Sequence, residues 1–304
     1  MQVLIAGAGF AGCLSAHALA RRGMGCRVIE GGTREQSGPA ARHAHSFRAE
    51  DLAAVAALAD LHPAPATGIG RHELLMLLRE RLETRADLRW QTKPRVVDIG
   101  DDGLCVGLTG CGRIGADLGI DASGHAFAIA SRAAETAGAR LDIEEIPDRW
   151  IYESYPLDGA ADGLHSGPCG SGRIVYAVKD GAGVATVMAP RDSMPAAEAV
   201  EVALSGLVGR DVARLSGRVP NRQGGASLSI TRLPPSWPIL CVGDALLKTP
   251  PRYGDGLHHA LAMARCLAAS ASVPDARGAL AAHAETAWTG ASIAMAMEGA
   301  GRLT

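Results

Sequence analysis

Gly7, Gly9 and Gly12, in the run GAGFAG, and Glu30, 18 positions further on, are the residues whose types and spacing most directly suggest chemistry. At this spacing the first glycine permits a tight turn and the second lets the backbone approach a pyrophosphate. The third lets a helix pack closely on a strand. The helix head behind such a turn offers free N–H groups and the positive end of the helix dipole to phosphate charge. Glu30 can accept both hydroxyls of an unphosphorylated ribose, which points to FAD or NAD rather than NADP. Spaced glycines are weak evidence in a chain with 38 of them, so the flanking elements must support the reading.

They do. Residues 3–6 form a short apolar run of the kind a buried parallel strand shows, and residues 11–22 read as a helix with Leu14, Ala18 and Leu19 on one face, closed by Gly23. Residues 26–29 are a second apolar strand that delivers Glu30, completing a βαβ unit. A second constellation stands late in the chain, PILCVGDALLKTPPRYGDGLHHALAMARCLA at 238–268. It reads as a strand over 239–242, the pair Gly243-Asp244, a proline-broken loop, the turn Gly254-Asp255-Gly256 and a long helix. An NAD dehydrogenase has no need of this second turn, whereas a flavin must be gripped along its ribityl chain and ring from a second side.

Between the two constellations the pattern changes to short runs rich in β-branched and aromatic residues. Strands are expected over 149–155, 173–178, 184–188 and 226–231, with an amphipathic helix over 195–208 and a last helix over roughly 276–298. Trp150, Tyr152, Tyr155 and Tyr176 fall in this region, where they suit either a pocket for a planar or apolar substrate or packing beneath the sheet.

The late stretch is similar to the second flavin fingerprint of the single-component FAD monooxygenases, the superfamily of para-hydroxybenzoate hydroxylase, squalene epoxidase and the polyether epoxidases. The resemblance implies that Gly243 and Asp244 meet the ribityl and pyrophosphate region, and that the turn from Gly254 to Gly256 lies against the pyrimidine end of the ring. Three further segments extend it in the same order: GPAARHAHSF at 38–47, GRHELLMLLRERL at 70–82 and DLGIDASGHAFAIASR at 117–132. They imply that Arg42 lies beside the FAD, that Arg71 opens a cofactor-contacting helix, and that Asp121 and Gly124 form the turn closing the flavin domain. The implied fold is α/β: a Rossmann-like FAD-binding domain with a parallel sheet and helices, over 1–125 and 235–304, plus a smaller antiparallel-sheet substrate domain over 126–234. The implied activity is FAD-dependent monooxygenation of a small organic molecule, by hydroxylation or epoxidation through a flavin hydroperoxide, with NADH or NADPH as electron donor. Relatives of the geranylgeranyl reductase type share these motifs but work without oxygen. A catalytically reduced flavoprotein serving protein maturation and a plain NAD-binding protein are the remaining alternatives.

No catalytic residue is assigned. Arg252 and Tyr253 lie in the loop beside the presumed ring and are the best placed to meet substrate, or else merely cover the loop. Family members often carry a histidine or small polar residue soon after the Gly-Asp pair, where this chain has Leu247 and Lys248. Lys248 is expected to face solvent, and would bind a carboxylate substrate if it turned inward. His258, with His43, His45 and His259, could move protons near the flavin or serve the structure alone. The chain crosses from Leu61 to Gly70 with only HPAPATGI between them, where epoxidase-like relatives have a long excursion. The active site is therefore expected to be open, closed by a carrier- or protein-borne substrate or by a homodimer; a separate reductase is a further candidate partner. A GxSxG elbow and the WxWxIP segment of flavin halogenases are both absent from the sequence.

Composition narrows the field further. A net charge of -2 gives no polycationic face for nucleic acid. The seven cysteines are scattered, without ligand spacing for a metal or the pattern of a disulfide framework. Met1 runs straight into VLIAGAG with no basic leader, and no apolar run reaches about 18 residues, so a cytoplasmic protein with no membrane span is expected.

Overall fold

The first 30 residues fold as their pattern dictates: a strand buried from its second residue onward, a helix of small apolar residues, and a second strand in parallel register with the first. The computed structural model describes residues 1–33, 47–66, 69–100, 103–110, 112–158, 163–179, 182–208, 214–215, 221–223 and 227–299. In chain order these give β1 (Gln2–Ala6), α1 (Phe10–Ala20), β2 (Gly25–Ile29), α2 (Ala49–Ala59), α3 (Arg71–Glu83) and β3 (Asp87–Arg89). A hairpin pair follows, β4 (Pro94–Gly100), β5 (Gly103–Leu108) and β6 (Gly112–Ala116), and then β7 (Leu118–Asp121) and α4 (Ala130–Ala137). The middle of the chain contains β8 (Asp142–Pro147), β9 (Trp150–Asp158), β10 (Gly163–Cys169), β11 (Gly172–Lys179), β12 (Ala182–Pro190), α5 (Ala197–Val208), β13 (Arg214–Leu215), β14 (Asn221–Gln223) and β15 (Ser227–Arg232). The last elements are β16 (Ile239–Cys241), β17 (Leu247–Lys248), α6 (Gly256–Ala269) and α7 (Val273–Gly299).

The fold is α/β. A five-stranded parallel sheet runs in the order β16-β7-β1-β2-β3, and β9 to β14 form a six-stranded antiparallel sheet. The chain winds outward from β1 to β2 and β3, then returns on the other side of β1 as β7 and, more than a hundred residues later, β16. This reversal of direction between β1 and β7 is the switch point where open α/β sheets place ligands, beyond the carboxyl ends of the strands.

Several expectations are corrected. Helix α1 ends at Ala20 rather than Arg22 and is buried on nearly every side, because α2, α3 and α6 all pack on it. An almost wholly apolar helix suits that enclosure better than a one-faced position. The returning strand near 226–231 is β15, which joins β8 and β17 in a separate three-stranded sheet. The β4-β5-β6 sheet and strand β10 were not anticipated. Helix α4 packs through Ala133 and Ala134 into the same core cluster as Val97 of β4 and Val106 of β5. Among the described residues no helix is long and apolar enough to cross a membrane.

Candidate cofactor site

The glycine turn between β1 and α1 sits at the switch point, and each glycine has a distinct steric reason to be there. Gly7 adopts φ 104°, and a Cβ on it would lie 2.5 Å from the carbonyl oxygen of Ala122, just past β7. A Cβ on Gly12 would lie 1.8 Å from the carbonyl oxygen of Gly7, so α1 can begin this close to the turn only with glycine there. Among the described residues, nothing beyond its chain neighbours and its own helix comes within 4 Å of the Cβ position of Gly9, so its backbone is bare on that side of the turn. That bare backbone at a helix head is the surface a pyrophosphate requires.

The residue between these glycines is pinned on both sides. The Ala8 N–H donates to Glu30 Oε2 over 2.7 Å, and Arg79 Nε donates to the Ala8 carbonyl over 2.9 Å. Glu30 accepts a second bond from the Gly32 N–H at 3.0 Å, which leaves each carboxylate oxygen a further lone pair for a ribose hydroxyl. Arg79, from α3, is only 2% exposed and also lies over the Trp90 ring at 4.9 Å. Sequence reasoning missed it. Beneath the same turn, Cys13 donates weakly to the Ala8 carbonyl, and burial pushes its thiol up to about 12.

Other expected residues gather around this turn. Arg71 opens α3 and stacks 4.9 Å over the Phe10 ring at the first residue of α1; burial lowers its pKa while the charge of Asp244 opposes the change. Gly243 has φ 59°, and a Cβ there would lie 2.5 Å from the Ala11 Cβ, so the second turn presses against the head of α1. Its N–H points to the Met263 sulfur at 3.0 Å. The exposed Asp244 follows, with its Cβ 3.8 Å from the Cβ position of Gly124, itself at φ 63°. Gly254 (φ 68°) and Gly256 have open space around their Cβ positions and lead into α6.

Asp121 has a different local duty. It is fully buried, and its carboxylate accepts from the Ser123 hydroxyl and the N–H groups of Ser123, Ile129 and Ala130, all within 3.1 Å. It thereby fixes the turn after β7 and caps the approach to α4.

The four catalytic candidates are all engaged. Arg252 is a clamp: Nε lies 3.0 Å from Asp148 Oδ2, Nη1 meets Glu298 of α7, and its backbone N–H donates to the Tyr152 hydroxyl at 3.1 Å. Its guanidinium also lies over the rings of Tyr253 and Trp150, at 4.5 and 5.4 Å. Burial, and then the neighbouring Asp148 charge, push the Tyr152 phenol well above its ordinary range, so it acts as a neutral hydrogen-bonding group. Tyr253 is engaged through its ring, under the Arg252 guanidinium, while its buried hydroxyl has no hydrogen-bond partner among the described residues. Lys248 does not run free into solvent: it is half-buried and donates to the Ser227 hydroxyl at 3.0 Å. His258 Nδ1 lies 3.0 Å from Asp51 of α2. Arg42, with His43 and His45, lies outside the described residues. Among the described residues no group of three or more His, Cys, Asp and Glu side chains is placed to hold a metal.

The head of α1, directly after the parallel strand β1, thus has the turn after β16 pressed against it, with Glu30, Arg71 and Asp244 in the surrounding turns, and α6, which opens after the loop beyond β17, packs on α1. That is the architecture of a dinucleotide-binding domain with a second clamp. Residues 2–98 match the family described as FAD binding domain. Three solved structures are similar in fold. The flavin-dependent halogenase CmlS aligns over 95% of this chain and 62% of its own, at 15% identity and a TM-score of 0.70. The 2-methyl-3-hydroxypyridine-5-carboxylic acid oxygenase aligns over 99% of this chain and 92% of its own, at 15% identity and a TM-score of 0.68. The peptidyl tryptophan dihydroxylase QhpG aligns over 99% of this chain and 76% of its own, at 15% identity and a TM-score of 0.65. At these identities the likeness is one of fold. Comparison with curated protein sequences finds no match.

Proposed function

We propose that this chain is an FAD-dependent monooxygenase that hydroxylates or epoxidises an organic substrate, with a flavin domain over 1–125 and 235–304 and a substrate domain over 126–234. The observation that carries the reading is the bare backbone at Gly9, flanked by Ala8, bonded to Glu30, and by Phe10, under Arg71, with the Gly243 turn pressed against the same helix head. These residues fit an FAD. The α1 head and Arg71 would hold its phosphates, Glu30 its adenosine ribose, Asp244 its ribityl chain, and the N–H groups opening α6 would face the polar end of its ring. When bound, FAD supplies two-electron redox chemistry and the activation of dioxygen.

The protein's own part is positioning and exclusion of water. Arg79 and Glu30 hold the Ala8 peptide so that the following N–H groups face one point, an arrangement that costs no reorganisation when charge arrives. Arg252 joins the antiparallel sheet to the loop before α6 through Tyr152 of β9 and through Asp148. The matching folds of an oxygenase and a peptidyl tryptophan dihydroxylase support oxygen insertion, into a free molecule or a peptide-borne side chain. NADH or NADPH is the proposed donor, directly or through a reductase.

The test is spectroscopic. The purified protein should be yellow, or become so on reconstitution with FAD, bleach with NADH or NADPH without air, and consume oxygen in proportion to substrate converted. A colourless protein that takes up no FAD would sink the reading. Bound FAD whose reoxidation delivers no oxygen to any product would favour a reductase or dehydrogenase.

A further inference from the structure

At the head of α6, Thr249, Asp255, His259 and His283 form one continuous run of polar contacts, two hydrogen bonds joined by an ion-pair contact, that cofactor binding alone does not require. Thr249 Oγ1 donates to Asp255 Oδ1 over 2.6 Å, His259 Nε2 lies 3.1 Å from Asp255 Oδ2, and His259 Nδ1 lies 3.2 Å from His283 Nε2. The two imidazoles meet edge to face with centroids 5.2 Å apart. Asp255 immediately precedes α6, yet it makes no capping bond to the helix; its carboxylate turns to Thr249 and His259 instead.

The proton positions follow from donor and acceptor capacity. An ionised Asp255 only accepts, so His259 carries its hydrogen on Nε2 and presents a bare Nδ1; the hydrogen of the next bond therefore belongs to His283 Nε2. His283 is half-buried on α7. Burial pulls Asp255 upward, but the bonds from His259 and Thr249 outweigh it and hold the carboxyl below its usual range. Burial, and then the charges of His259 and His258, hold His283 below the ordinary histidine value, which favours the neutral chain at rest. The other charges facing this end of α6 are Asp51 of α2, paired with His258, Asp244 in the turn after β16, and Arg252, neutralised by Asp148 and Glu298. Arg22, after α1, donates to the Leu267 carbonyl at the far end of the helix.

We propose that His283, His259 and Asp255 form a proton relay that sets the charge at the head of α6, with the two histidines as positioning residues acting through Asp255. A proton bound at His283 Nδ1 sends the Nε2 hydrogen to His259 Nδ1, and the His259 Nε2 hydrogen passes to Asp255. One proton enters, one carboxylate is neutralised, both histidines end neutral, the two contacts of His259 reverse direction, and Thr249 goes on donating to Asp255. The inference rests on the FAD reading, in which negative charge develops beside this helix head when the cofactor is reduced. Removing the Asp255 charge at that moment lets the α6 N–H groups act on the ring unopposed.

The experiment counts protons. Wild-type holoprotein, His283→Gln and His259→Gln are reduced without air by dithionite in weak buffer, and proton uptake is read with an indicator dye. Glutamine at 283 can still donate a hydrogen bond to His259 but cannot pass a proton on. The wild type should take up about one proton more per flavin than either variant. Equal uptake in all three overturns the relay and leaves the FAD reading standing, whereas a wild type that binds no FAD overturns both. Imidazole nitrogen NMR of the wild type gives the same answer without a substitution. The hydrogen of His283 should move from Nε2 to Nδ1 on reduction, and an unchanged tautomer overturns the relay.

Discussion

Gly9 and Gly12 stand three residues apart in one turn, and opposite surroundings give them opposite sensitivities. Gly12→Ala drives a Cβ onto a backbone oxygen, so it should cost the apoprotein more than about 2 kcal/mol and lower its melting temperature measurably. Gly9→Ala meets open space at an ordinary φ, so apoprotein stability should change by less than about 1 kcal/mol while FAD affinity falls about tenfold or more. Equal losses of stability in the two variants would contradict this division. A second residue-scale prediction concerns His17, fully buried in α1, with Nε2 bonded to the Leu78 carbonyl at 3.1 Å and Nδ1 without a partner among the described residues. Burial lowers its pKa to about 4, so the folded state prefers it neutral. Its contribution is intact above the unfolded value near 6.5 and is lost as pH falls toward 4, on the order of 3 kcal/mol in all. Urea unfolding at pH 7 and pH 4.5 should show a steeper acid loss in the wild type than in His17→Gln; parallel losses would remove His17 as the cause. The glycines were legible because their spacing is itself the signal. Arg79 was not, although a signal existed: it lies four residues after Leu75 and three before Leu82, on the apolar stripe of α3.

At the scale of elements, the Arg252 clamp ties together Asp148 in the turn between β8 and β9, the loop leading into α6 and the end of α7. The Asp148 side chain is 2% exposed, so Arg252→Met would strand a buried carboxylate at a cost of about 3–5 kcal/mol. Hydrogen exchange should then accelerate at the start of β9 and in the last turns of α7, and leave β1 and β2 protected. Uniform acceleration would mean that the clamp serves global stability rather than this junction. The βαβ unit, α5, α6, α7 and the strands β9, β11 and β12 could be read from apolar periodicity. The β4-β5-β6 sheet was overlooked because glycines interrupt it at 100, 103, 107, 110, 112 and 115. Yet Leu104, Val106 and Leu108 alternate with Cys105 and Gly107 as a half-buried strand should. The partners of β15 were not legible, since pairing over such distances depends on which edges the rest of the fold leaves available.

For the whole molecule, the sequence revealed the two constellations but not how closely they meet, because contact between Gly243 and Ala11 is a property of the assembled sheet. Closure depends on β16 reaching β7 across more than a hundred residues of intervening chain. During synthesis the first turn leaves the ribosome long before its counterpart exists, and contacts so distant in sequence form late and slowly. Nascent chains stalled before residue 239 should retain no flavin, and chains released after α6 should acquire it; flavin fluorescence on purified ribosome complexes would decide. Loading of a cofactor that needs both turns therefore waits until β16 and α6 have been made, and until then α1 lacks the cover that α6 gives it.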